Sequence, residues 1–254
     1  MKNFTFEIGC DPELIFFHHG NPVEAENVFR FDGLEAHFGY DGDHTIAEIR
    51  PGPASAPFDL VTKIHKCMSS SRVAHKFEWF AGAFKADLAI GGHIHFSRTW
   101  STSPWFHTLL KYLNAGFASI RNAWEPVDEI SARRGRGYGV FNTLCYRDQP
   151  WGWEYRPLLS WLITPAVALF YISYAKALTH IFFEGAKKVI GEPPEISQIF
   201  TTSFARSLPD PRLKNIKKII AFAPADCKEG LAFYRKFLLE GINWKKEVKK
   251  EWKI

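Results

Sequence analysis

Apolar and polar side chains alternate in FTFEIG at the start of the chain, the period of a half-buried strand, and ELIFFHHG continues or pairs with it up to a turn at HGNP. Residues 20–45, rich in Gly, Asp and Asn, read as loop with short hairpins. HTIAEIRPGP is strand-like and is stopped by Pro51 and Pro53. Leu60, Ile64, Cys67 and Met68 then recur at helical spacing and predict a helix over 57–79. FKADLAIGGHIHFS is the next strand region. Ser103 and Pro104 are a good N-cap and N1 pair for a helix running to about residue 121.

Beyond it, ISARRGRGYGVFN reads as a basic, Gly-rich loop leading to a strand around 139–146. WGWEYRP is a further strand, followed by a long helix from about residue 157. Residues 191–211 are proline-rich and read as loop, and the region after 226 is helical. These elements predict an α+β fold: an antiparallel or mixed sheet with helices packed on one side. The expectation is a single domain over 1–254, with a core of about 1–185 and a helical region of about 186–254.

Period two also sorts the ionisable residues. Asp11 and Glu13 share a face of one strand, Glu48 and Arg50 of a second, His93 and His95 of a third, Glu154 and Arg156 of a fourth. A wet sheet face ordinarily carries Lys, Thr, Ser and Gln; this one carries short acids, imidazoles and arginines. Two carboxylates about 5 Å apart repel by about 3 kcal/mol at an effective dielectric near 20, so four converging acids call for cations. Oxygen-rich sites suit Mg²⁺ or Mn²⁺. Arg133, Arg134, Arg136 and Arg147 add guanidinium forks that match phosphate or carboxylate oxygens, and no P-loop pattern is present.

Bulk properties narrow the partners. The 254 residues carry a net charge of +5, much of it in the Lys-rich tail 244–254, which reads as a solvated helix end rather than a nucleic-acid face. Residues 157–175 lack charge and are nearly long enough to cross a bilayer, yet they contain Ser160, Thr164, Pro165 and Ser173 and read as a buried helix. Four widely spaced cysteines, Cys10, Cys67, Cys145 and Cys227, and the absence of a leader pattern favour free thiols in a reducing cytoplasm. Neither nucleic acid nor a membrane is expected as a partner, and an oligomer fits the composition as well as a monomer.

Taken in order, DPE, GGHIHFS, RRxRxYG and GWEYR resemble the phage-associated carboxylate–amine (COOH–NH2) ligases of type 2, relatives of glutamine synthetase and glutamate–cysteine ligase. These motifs span residues 9 to about 160. The resemblance implies a curved antiparallel sheet like the glutamine synthetase catalytic domain, with helices on its convex side and two or three Mg²⁺ ions and ATP on its concave face. It implies Asp11, Glu13, Glu48, His93 and Glu154 as metal ligands, and His95, Arg133, Arg134, Arg136 and Arg147 as contacts to the nucleotide. Arg156 and Arg136 would meet the transferring phosphoryl group or the substrate carboxylate. Asp41 or Asp43, in YDGDH just before the Glu48 strand, is a candidate for deprotonating the amine. The implied activity joins a carboxylate and an amine through an acyl phosphate made from ATP, in the host cytoplasm if the chain is phage-encoded. Two alternatives stand: a metal-dependent hydrolase using HxH, and a non-catalytic nucleotide-binding phage protein.

Overall fold

The computed structural model describes residues 6–30, 37–40, 42–71, 76–97, 105–142, 145–190 and 211–254. In chain order the elements are β1 (Ile8–His18), β2 (Asn21–Val23), α1 (Ala25–Arg30), β3 (Phe38–Tyr40), β4 (Ile46–Ile49), α2 (Pro57–Ser70), β5 (Glu78–Phe80), β6 (Phe84–Lys85), β7 (Leu88–Ala89) and β8 (Gly92–Phe96). There follow α3 (Phe106–Trp124), α4 (Val127–Gly135), β9 (Tyr146–Gln149), β10 (Gly152–Tyr155), α5 (Pro165–Ile190), α6 (Ile216–Phe222), α7 (Lys228–Glu240) and α8 (Val248–Trp252). The chain is α+β, and its main sheet is antiparallel in the order β3-β4-β1-β8-β10-β9.

β1 is the spine. Its first half pairs with β8, its middle with β4, and its far half with β5 and β2. The eleven residues of β1 are long for a strand, and alternation gives its two faces different work. Cys10, Leu14 and Phe16 point into one continuous core with residues of α2, α3 and α5. Asp11 and Glu13 point the other way, into the groove of the curled sheet. The core is aromatic: Phe96 stacks on Trp153 at 4.5 Å, and Phe106 meets Trp153 edge-on at 4.9 Å.

Helix α5 runs through this core. Its first 21 residues are apolar and long enough to cross a membrane, but they are mostly buried against other elements. It starts at Pro165 rather than near 157, because residues 158–160 are engaged elsewhere. The Leu158 carbonyl accepts from Gly92 N–H at 3.1 Å, and Ser160 exchanges backbone bonds with Gly82 at 2.8 and 3.1 Å. Thr164 then caps the helix, its Oγ1 accepting from Val167 N–H at 3.1 Å, with Pro165 at the first helical position.

Four further expectations need correction. The helix expected over 57–79 stops at Ser70, and 78–80 forms β5, whose Trp79 is buried beside Phe16 at 5.2 Å. The 84–97 region is two units: the β6–β7 hairpin turns at Ala86 and Asp87, both at positive φ (48° and 63°), and β8 follows. The 20–45 region contains α1 besides its strands. The supposed Gly-rich loop at 130–142 begins as helix α4, with Asp128 and Glu129 in its first turn and Arg133 and Arg134 in its last, as the helix dipole favours. The following strand is Tyr146–Gln149. The Ser103–Pro104 cap lies outside the described residues, as does most of the 191–211 loop.

Not all helices lie behind the sheet. The Glu129 carboxylate of α4 accepts from Ala83 and Phe84 N–H at 3.1 and 3.4 Å and pairs with Lys85 at 3.0 Å, clamping α4 onto β6. The hairpin in turn supports a small apolar plug of Ile15, Ile46 and Ile90 with Phe17 and Leu88. The plug covers the groove-side face of β1 just beyond Glu13. The Lys-rich tail is not merely solvated: Val248 and Trp252 of α8 are buried, and Trp252 Nε1 donates to the Leu162 carbonyl at 2.6 Å.

Candidate active site

Register brings the charged pairs together. Asp11 lies opposite His93, Glu13 opposite Glu48, Glu154 opposite both His95 and Arg147. Five adjacent strands thus put their ionisable residues on one face, while the residues between them, Ile94, Trp153 and Tyr155, are fully buried behind. A pair of glycines makes the approach possible. A Cβ on Gly92 would strike the Trp161 indole and the Leu159 carbonyl, and one on Gly91 would crowd His93 and Arg133. Gly91 N–H donates to Glu13 Oε2 at 2.6 Å.

At the centre, His93 Nδ1 stands 3.1 Å from Glu154 Oε1 and 3.3 Å from Asp11 Oδ1, and its Nε2 stands 3.7 Å from Glu13 Oε1. His95 Nε2 lies 3.0 Å from Asp11 Oδ1. Burial alone would raise the Asp11 carboxyl, but the His93 and His95 imidazoles beside it hold it well below the usual carboxylate range. Glu154 is likewise opposed by burial and drawn down by His93 to about 2. His93 is the counterpart: burial opposes its charge, but Asp11 and Glu154 raise it to about 10.

The acids also hold the arginines. Arg147 grips Glu154 Oε2 through Nη2 at 2.7 Å and Nε at 2.8 Å, with Gln149 adding a bond at 3.1 Å. Arg156 Nε lies 3.1 Å from Glu154 Oε1. Arg50 pairs with Glu48 at 2.6 Å, its guanidinium filling the space that a Cβ on Gly39 would take.

Asp11, His95 and Glu154 each present one ligand atom within 4.8 Å of the other two. Asp11 Oδ1, His95 Nε2 and Glu154 Oε1 are buried yet make no aligned hydrogen bond. Two carboxylates and an imidazole, each offering a buried atom this close to the other two, are a donor set that fits a divalent cation such as Mg²⁺ or Mn²⁺. His95 belongs to this convergence, whereas His93 is occupied by three acids.

Two cavities open from the cluster. One of about 730 Å³ is lined by Glu7, Asp11, Glu48, Arg50, His95, Arg147 and Trp151, among others. A crevice of about 140 Å³ lies at the other end, beside His93, Tyr138, Asn142 and Arg156.

The remaining arginines separate. Arg133 is buried at 2% exposure, with Nη1 donating to the Pro157 carbonyl at 2.9 Å, and burial lowers its guanidinium to about 10. Arg134 and Arg136 are exposed at the end of α4 and line neither cavity. Asp41 lies outside the described residues. Gln149 and Trp151 were missed, although Gln149 shares the face of Arg147 by the same period of two. Trp151 caps His95 with ring centres 4.8 Å apart.

A family model described as phage phiEco32-like COOH.NH2 ligase-type 2 matches residues 8–254, and the chain belongs to that family. The match extends through the last ninety residues, beyond the span of the motifs. Among curated proteins nothing matches.

Proposed function

We propose that this member of a carboxylate–amine ligase family joins its substrates at the expense of ATP, through an acyl phosphate, in the groove around Asp11, His95 and Glu154. The observation that carries the reading is the convergence of one ligand atom each from Asp11, His95 and Glu154, the first two of these residues lining a cavity of nucleotide size. Those residues would hold Mg²⁺, with Mn²⁺ as an alternative; Glu13, Glu48 and His93 surround them and would serve any further ion. The metal supplies positive charge where phosphoryl oxygens gather negative charge.

The chain's own residues do the rest. Arg50 and Arg147, each about half exposed beside the large cavity, offer their guanidinium groups to the phosphates. Trp151 offers an aromatic face to the base. Arg156 neutralises charge on the transferring group and on the carboxylate that attacks it. A substrate carboxylate oxygen bonds to the γ-phosphorus as the bond to ADP breaks. The amine then attacks the acyl carbon, phosphate leaves, and the amine's proton passes to a base or to water.

ADP release, screened over pairs of carboxylate and amine with Mg²⁺, tests this reading, with Glu154→Ala as control. Release by the wild type that the variant lacks supports it. Equal release by both ends it, and turnover without nucleotide points to the hydrolase alternative.

A further inference from the structure

Arg133 is a charged group that the mechanism above leaves unused. It lines neither cavity, and its Nε is buried without a hydrogen-bond partner among the described residues. Burial disfavours its charge, which the carboxylates of Glu13 in the groove and Glu125 in the core favour from either side. Replacing such buried charges by apolar groups of similar volume is often neutral or stabilising, so stability does not account for this one. Its contacts give it another use.

Three segments of the site meet at this guanidinium. Nη1 donates to the carbonyl of Pro157, the residue after Arg156, at 2.9 Å. The main chain of Arg156 is tied through its own N–H to the Cys145 carbonyl at 3.0 Å. Pro157 has no N–H to offer, so the hold on the other side of Arg156 comes from Arg133. Nη2 stands 3.1 Å from where a Cβ on Gly91 would lie, and His93 Nε2 stands 2.9 Å from the same point, so the two side chains flank Gly91. Gly91 N–H is the donor that grips Glu13. On the third side Gly139, at φ 70°, lies so close that a Cβ there would strike Nη1. The Arg133 carbonyl accepts from Arg136 and Tyr138 N–H, both at 3.2 Å, so the turn that ends α4 sets where the fork stands. The side chain thereby joins the exit from β10, the entry to β8 and the end of α4.

We propose that Arg133 is a positioning residue: through the Pro157 carbonyl it fixes Arg156, and by packing against Gly91 it fixes the step that aims Glu13 and His93. The proposal rests on the ligase reading above. It gives Arg133 an indirect role in place of the nucleotide contact that the resemblance implies, because a guanidinium that lines neither cavity meets no nucleotide. A displacement of reacting groups by about 1 Å costs about 100-fold in rate. Arg133→Met keeps much of the volume and loses both arms of the fork. Arg133→Lys keeps the charge and one donor.

Turnover is read as ADP release at temperatures where circular dichroism shows each variant fully folded. Arg133→Met should lower kcat about 100-fold and leave the KM for ATP within about two-fold, and Arg133→Lys should recover about ten-fold of that loss. A residue serving stability alone would lower the melting temperature and leave kcat of the folded enzyme unchanged. That result, or a rise in the ATP KM with kcat intact, overturns the proposal. If Arg133→Met does not fold, Arg133→Lys decides alone: kcat about ten-fold below the wild type upholds the role, and wild-type kcat overturns it. If the wild type releases no ADP with any pair of substrates, the ligase reading fails by itself. The arginine Nε–H signals in nitrogen-edited NMR, assigned with Arg156→Lys and Arg147→Lys, then read the positioning directly. A shift of the Arg156 signal in Arg133→Lys, with that of Arg147 unmoved, upholds the role. An Arg156 signal the same as in the wild type overturns it.

Discussion

Glu154 and Glu125 are both buried glutamates, and their carboxyls sit on opposite sides of the ordinary value, at about 2 and about 7. Glu154 faces the groove, where the cost of burial is exceeded by His93 and by contacts from Gln149. Glu125 sits between α3 and α4 on the core side, with the Tyr171 hydroxyl at 2.9 Å, and there burial prevails over that bond and the more distant Arg121, Arg133 and Arg134. Depth does not decide whether an acid is ionised; the presence of a close, opposite charge does. The groove is built to keep its acids charged, and the core to keep its acid quiet.

The strongest way to break this contrast is to neutralise a groove acid. Asp11→Asn should lower nucleotide-dependent turnover about 10⁴-fold, roughly 5 kcal/mol of barrier, at temperatures where the variant, though less stable for the loss of His93's partner, is still folded. A loss of fold in step with the loss of turnover would mean the groove acids serve stability instead. Thermal unfolding and ADP release on one preparation separate the two.

A smaller effect comes from proton linkage. Glu125 is raised in the folded state, so its stabilising contribution is complete below pH 4.5 and declines as pH rises through about 7, by about 3 kcal/mol in all. Glu154 is lowered, so its contribution is present above pH 4.5 and is lost as pH falls through about 2. Urea titrations between pH 4.5 and 7.5 should therefore show Glu125→Gln gaining relative to the wild type as pH rises. Parallel curves would refute the assignment.

The smallest effect is binding itself. Mn²⁺ at a hundred times its Kd should stabilise the wild type by about 2.7 kcal/mol and leave Asp11→Asn unmoved. Equal stabilisation of both would put the ion elsewhere.

Strand alternation made the groove readable from sequence. Pairs two residues apart at Asp11, Glu48, His93 and Glu154 needed only a strand to share a face, and the register then joined them. Helix α4 was hidden because Gly135 and Gly137 end it, and they disguise the helical turn that carries Arg133. The β6–β7 turn lacks the Asn-Gly or Asp-Gly signal, since Ala86 and Asp87 take positive φ under tertiary constraint. Which arginines reach the site was also illegible: Arg133, Arg134 and Arg136 are close in sequence, but helical geometry buries the first and leaves the others outside.

Glu247 accepts from Trp79 N–H across 168 positions, and Lys249 reaches back to the Phe77 carbonyl. The border of β5 is therefore completed by a segment that emerges from the ribosome long after β5 itself. Vectorial synthesis must hold that edge open until the distant strap arrives, which makes the interval one in which a chaperone, or an unwanted neighbouring strand, finds it first.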